Sequence, residues 1–165
     1  MFELKLLKAE ALASAQEKAL RYRLLNEPRL AASICRDILA VDPDRQDTLI
    51  TLILALSDQF GAKGRTSTAD AMDLVPRLDG EYEREYYAGI VCERRAMGQL
   101  EVTALGSGQI AYDWFRRAMV HFESAEALRP ADNDDAVLRW NTCARIINER
   151  GDLRPDDDHV ESMLE

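Results

Sequence analysis

The stretch Ala31-Ala32-Ser33-Ile34-Cys35-Arg36-Asp37-Ile38-Leu39-Ala40-Val41-Asp42-Pro43 decides the fold, because its pattern returns as Ala118-Met119-Val120-His121-Phe122-Glu123-Ser124-Ala125-Glu126-Ala127-Leu128-Arg129-Pro130. Ala31 aligns with Ala118, Ala40 with Ala127 and Pro43 with Pro130. A Pro-terminated helix with small residues on one face, met twice, points to stacked helical pairs. Such stacks hold other proteins more often than they catalyse reactions.

Outward from this stretch the periodicity is helical throughout. Leu4, Leu7, Ala11, Ala15, Ala19, Tyr22 and Leu25 recur at three and four, which predicts a helix over Phe2–Asn26. Asn26 is suited to the left-handed conformation that ends a helix, and Pro28 to the start of the next. That helix runs to about Val41, where Pro43 disfavours helical geometry at Asp42. A third, from Gln46 to Gln59, is apolar almost all round and belongs in the middle of a stack.

Gly61–Thr68 reads as a loop, and Ser67 or Thr68 caps a short helix ending near Pro76. Periodicity resumes from Glu81 to Met97 and is expected to halt at Gly98. After Gly106-Ser107-Gly108 a long helix from Gln109 to Leu128 presents Ile110, Trp114, Ala118, Phe122 and Ala125 on one face. Asp132-Asn133-Asp134 caps a further helix to about Arg150, and Asp156-Asp157-Asp158 offers a cap for a turn through Met163. No window alternates as a strand does. The expected class is all-α, with about seven helices.

Length and composition fit one domain able to bury its own core. The formal charge of −9 is uneven: residues 1–82 carry 11 Lys/Arg against 13 Asp/Glu, residues 83–165 carry 10 against 17. That balance argues against nucleic-acid binding, which needs phosphates neutralised. It serves solubility or attracts a basic partner. Without an apolar run that spans a bilayer or a secretory leader at the amino terminus, the expectation is a cytoplasmic protein with no membrane insertion.

Little chemistry is forecast. Cys35, Cys92 and Cys143 lie far apart within apolar helical stretches, with no metal-ligand spacing, and read as small buried hydrophobes. His121 sits beside Phe122 and reads as a partly packed side chain. His159 with Asp156, Asp157, Asp158 and Glu161 lacks the fixed cage that a hard cation requires, and Asp132–Asp135 lack EF-hand spacing. Gly61-Ala62-Lys63-Gly64-Arg65-Thr66 lacks the Gly-Lys-Ser/Thr of a phosphate loop, and Gly106-Ser107-Gly108 lacks the spacing of a nucleophile elbow. The expectation is no enzyme, no cofactor and no metal.

Over residues 12–150 the chain resembles the tetratricopeptide-repeat family, whose unit is a 34-residue helix–turn–helix. Residues 12–45 carry the likeness best. Ala19 and Ala31 take the small positions where paired helices cross, Tyr22 the aromatic position, Asn26 the turn and Pro43 the terminator. Cys35 departs from the usual aromatic. From Asn26 to Gly98 is two periods plus four residues, and from Ala31 to Ala118 two periods plus 19.

The units implied are about 12–45, 46–81 and 82–132, an end helix over 133–150 and an acidic tail over 151–165. Pro76 interrupts the middle unit. The resemblance implies a right-handed superhelix of antiparallel helix pairs, with a concave groove that takes a peptide or protein segment. Its groove positions would be Gln16, Leu20 and Arg23; Asp47, Ile50, Leu54 and Ser57; and Tyr86, Ile90, Glu93 and Arg95.

Gln16 and Leu20 cannot form the Lys/Arg–Asn clamp by which some members hold a carboxyl terminus. A basic or amphipathic segment fits the remaining positions better, as for an adaptor or a chaperone-like protein. The other reading is a self-assembling structural or regulatory protein, a homodimer among its forms. The acidic tail either stays solvated or folds back over the groove.

Overall fold

A computed structural model describes residues 2–61, 67–102 and 104–155, and seven α-helices with no strand are found among them. They are α1 (Leu12–Leu24), α2 (Pro28–Leu39), α3 (Gln46–Ser57), α4 (Thr68–Met72), α5 (Glu81–Leu100), α6 (Ser107–Leu128) and α7 (Asp135–Glu149). The all-α class and the helix number agree with the sequence expectation. None of these helices is long and apolar enough to cross a membrane.

Two boundaries differ from expectation for physical reasons. Phe2–Lys8 is not helical; only a 3₁₀ turn at Ala9–Ala11 precedes α1. Phe2, Leu4 and Leu6 stand exposed, and a segment with only Leu7 half-buried cannot repay helix nucleation. At the other boundary, α5 runs through Gly98 to Leu100. Gly98 is there for clearance: a Cβ would lie 3.0 Å from the Phe60 and Gly61 backbone. It lets α5 cross the chain leaving α3, and it does not end the helix.

Elsewhere the local signals act as read. Asn26 has φ 60°, and the backbone N–H of Glu27 bonds to the Tyr22 carbonyl, closing α1. Pro28 opens α2. Ser67 accepts from the Ala69 N–H while Asp70 accepts from the Ser67 N–H, a capping box that starts α4. After α4 the chain makes a 3₁₀ turn through Pro76. The loop at 62–66 and the tail at 156–165, with its proposed cap and His159, lie outside the described residues.

Inter-helix bonds set the directions. Gln16 meets Thr48 and Thr51, and Arg23 meets Asp58, so α1 and α3 run the same way. Gln46 bonds to the Arg77 carbonyl and to the Asp79 N–H, while Asp58 meets Arg94; α3 and α5 are therefore also parallel. Tyr82 faces Asn133 and Glu93 meets Arg139, which extends the parallel set to α7. Helix α6 packs on α5: Glu85 of α5 meets His121 of α6, and Gly89 faces Phe122.

Two buried clusters result. The first gathers Ala19, Ala31, Cys35, Leu49, Ile53, Phe60 and Leu78 around α1–α4. Phe115, Ala118, Phe122, Ala125, Ala136 and Cys143 of α6 and α7 form the second, closed below by Leu153. Helix α5 serves both, since Val91 belongs to the first while its neighbours Ile90 and Cys92 belong to the second.

Candidate functional site

The parallel helices α1, α3, α5 and α7 stand in sequence across the molecule, and the residues foreseen as groove contacts are distributed along the first three. Leu20 and Asp47 are exposed. Arg23, Ile50, Leu54, Tyr86 and Arg95 are half-buried, with Ile50 resting on the first core cluster and Leu54 on the second. The other four, Gln16, Ser57, Ile90 and Glu93, are buried.

Those four are occupied within the chain. The Gln16 amide donates to Thr51 Oγ1 at 2.8 Å and accepts from Thr48 Oγ1 at 2.9 Å, a closed polar link between α1 and α3. Ser57 donates back to the Ile53 carbonyl, and Ile90 fills the second core. Glu93 is 5% exposed and receives the Arg139 guanidinium on both oxygens at 3.2 Å. Burial pushes the Glu93 carboxyl up from its usual range, while Arg139 and then Arg94 pull against that shift. Gln16 and Glu93 thereby join α1 to α3 and α5 to α7.

The structure adds residues that the sequence did not single out. Asp58, just past α3, takes the Arg23 guanidinium on one oxygen at 2.7 Å and that of Arg94 on the other. One carboxylate thereby ties α1 to α5. Arg139 of α7 also reaches the Tyr86 hydroxyl. Tyr86 stacks on Tyr82 at 5.6 Å and meets Tyr87 edge-on at 5.2 Å.

A signal for these partners does exist in the chain. Arg23, Asp58 and Arg94 are separated by 35 and 36 residues, close to one repeat period. The Gln16 links span 32 and 35 residues.

Burial raises the Cys35 and Cys143 thiols to about 12 and that of Cys92 to about 11, so at neutral pH they are not thiolate nucleophiles. His121 Nδ1 lies 2.8 Å from Glu85 and pins α6 to α5. Trp140 donates its indole N–H to Glu123, fixing α7 against α6.

Leu20, Ile50, Leu54 and Tyr86 give half-open apolar contacts on these helices, with Asp47 exposed; Arg139 is paired with Glu93, while Arg23 and Arg94 share the single Asp58 carboxylate. No family model matches the chain, and neither a curated protein nor a solved structure is significantly similar to it.

Proposed function

We propose that this protein is a non-enzymatic interaction scaffold of tetratricopeptide-repeat type, whose face built from α1, α3 and α5 holds a protein segment. One observation carries the reading: side-chain bonds from α1 to α3 and from α3 to α5 span 32 to 36 residues, near a 34-residue repeat, while the α5–α7 bond spans 46. Units related in that way stack into a right-handed superhelix, and the first helices of each pair line its inner surface. The segment it suits is amphipathic, because the apolar contacts of the face stay half open while Asp47 on it is exposed. An adaptor or a chaperone-like role in the cytoplasm accords with that.

The test is a Leu20→Glu/Asp47→Arg double variant, both sites being exposed. Partners captured from native lysate are identified, and the bound segment is titrated by calorimetry against both proteins. Binding falls about tenfold or more in the variant, with unchanged circular dichroism. Equal affinity would remove this face from partner binding. A second reading, self-association, is favoured by one specific observation, the apolar outer edge of the α1–α2 pair.

A further inference from the structure

The first helix pair ends the stack on one side, and the outer surface of such an end is ordinarily polar. Here it is not. Leu7, Ala11, Ala15 and Ile34 wall a cleft of about 230 Å³ between α1 and α2, with Lys18 and Asp37 on its rim. Helical spacing carries the seam onward from Lys18 to Tyr22 on α1 and Leu25 at its C-cap, and from Ile34 back to Leu30 on α2. All three are exposed.

Beside this seam the chain carries an arm. Phe2, Leu4 and Leu6 are 99%, 87% and 76% exposed, so the segment before Leu7 touches almost nothing of its own molecule. One chain therefore carries both an apolar arm and an apolar seam, each uncovered.

We propose that the occupant of the seam is the arm of a second copy, in a two-fold dimer in which each copy's residues 2–6 lie along the partner's α1–α2 edge. The arrangement is isologous, so both contacts form at once and no edge is left to propagate. The charges are complementary: Glu3 and Lys5 flank Leu4 on the arm, and Lys18 and Asp37 offer each of them an opposite sign. The area is sufficient. One Phe and two Leu side chains present about 400 Å² of apolar surface. Two arms with the walls they cover come to roughly 1,600 Å², a standard size for a stable interface.

This inference rests on the self-association reading and gives it an interface; it is independent of the face on α1, α3 and α5. Sedimentation equilibrium from about 1 to 100 µM tests it. Three proteins are compared: wild type, the arm variant Leu4→Glu/Leu6→Glu, and the seam variant Leu25→Glu/Leu30→Glu. Each altered residue is solvent-exposed, and circular dichroism checks the fold.

Wild type is expected to be a dimer and each variant at least tenfold weaker in self-association. An equimolar mixture of the two variants restores one of the two contacts, the seam variant's arm on the arm variant's seam, so it associates more tightly than either variant alone and less tightly than wild type. A wild type that stays monomeric at the highest concentration overturns both the arm exchange and self-association, and an arm that folds onto its own seam would give that result. A dimer that survives Leu4→Glu/Leu6→Glu, or a mixture that associates no more tightly than either variant alone, overturns the arm exchange alone.

Discussion

Phe122→Ala lowers the stability of the protein by about 4 kcal/mol. The ring is fully buried in the second core, 6.0 Å from the Tyr86 ring, and it lies over Gly89 where α5 and α6 cross. Truncation loses the transfer energy of the ring and leaves a cavity that two long helices cannot close. For a chain of this length the melting temperature drops by about 10 °C.

The complementary change is Gly89→Ala. An added Cβ would come within 2.5 Å of the Phe122 ring. Alanine improves helix propensity by about 1 kcal/mol, but overpacking costs about 1–3, so the net result is a loss. Gly89→Ala combined with Phe122→Leu restores room and costs less than the sum of the two single changes, by about 1 kcal/mol. Strict additivity in urea denaturation would refute the view that Gly89 exists to admit the ring.

Arg139→Leu is the second large effect. It strands Glu93 among apolar neighbours without its main counterion. Breaking a buried pair costs about 3–5 kcal/mol, reduced in this case to about 3 because Arg139 itself reaches solvent. The loss depends on pH. Burial already places the Glu93 carboxyl above its unfolded value, and removing Arg139 raises it further.

A group raised in this way favours the folded state below its unfolded pKa, and that contribution is lost as pH rises through the folded value. The deficit of Arg139→Leu therefore shrinks as pH falls through the raised Glu93 value toward the ordinary carboxylate range. Replacing both partners, Glu93→Leu/Arg139→Leu, returns stability to within about 1 kcal/mol of wild type or above it. A deficit that ignores pH, or a double variant weaker than Arg139→Leu, would overturn the role of Arg139 as the counterion that keeps Glu93 buried.

Features governed by neighbours in the chain were legible from sequence. Asn26, Pro28 and the Ser67 cap act through dihedral preference and local bonds, and each sits where its chemistry placed it. Phe2–Lys8 has helical spacing, yet periodicity reports only that a face could be buried, not that a partner for it exists. Gly98 illustrates the same gap, since a turn glycine and a clearance glycine are one letter. Asp58 follows a run of apolar residues and looks like a helix end; its role comes from two arginines a repeat away on either side. Glu93, read as a groove contact, has the right helical face but is covered by α7.

The alternation of Ile90, Val91 and Cys92 between two cores has a consequence for cooperativity. In an array of repeats that touch only their neighbours, terminal units can melt while the centre holds. Here a single helix supplies wall to both cores at adjacent positions, so it cannot loosen from one without opening the other. Unfolding from either end stops at α5 or takes the whole molecule with it. The chain consequently offers no internal cut between residues 81 and 100 that would leave two separately folded halves.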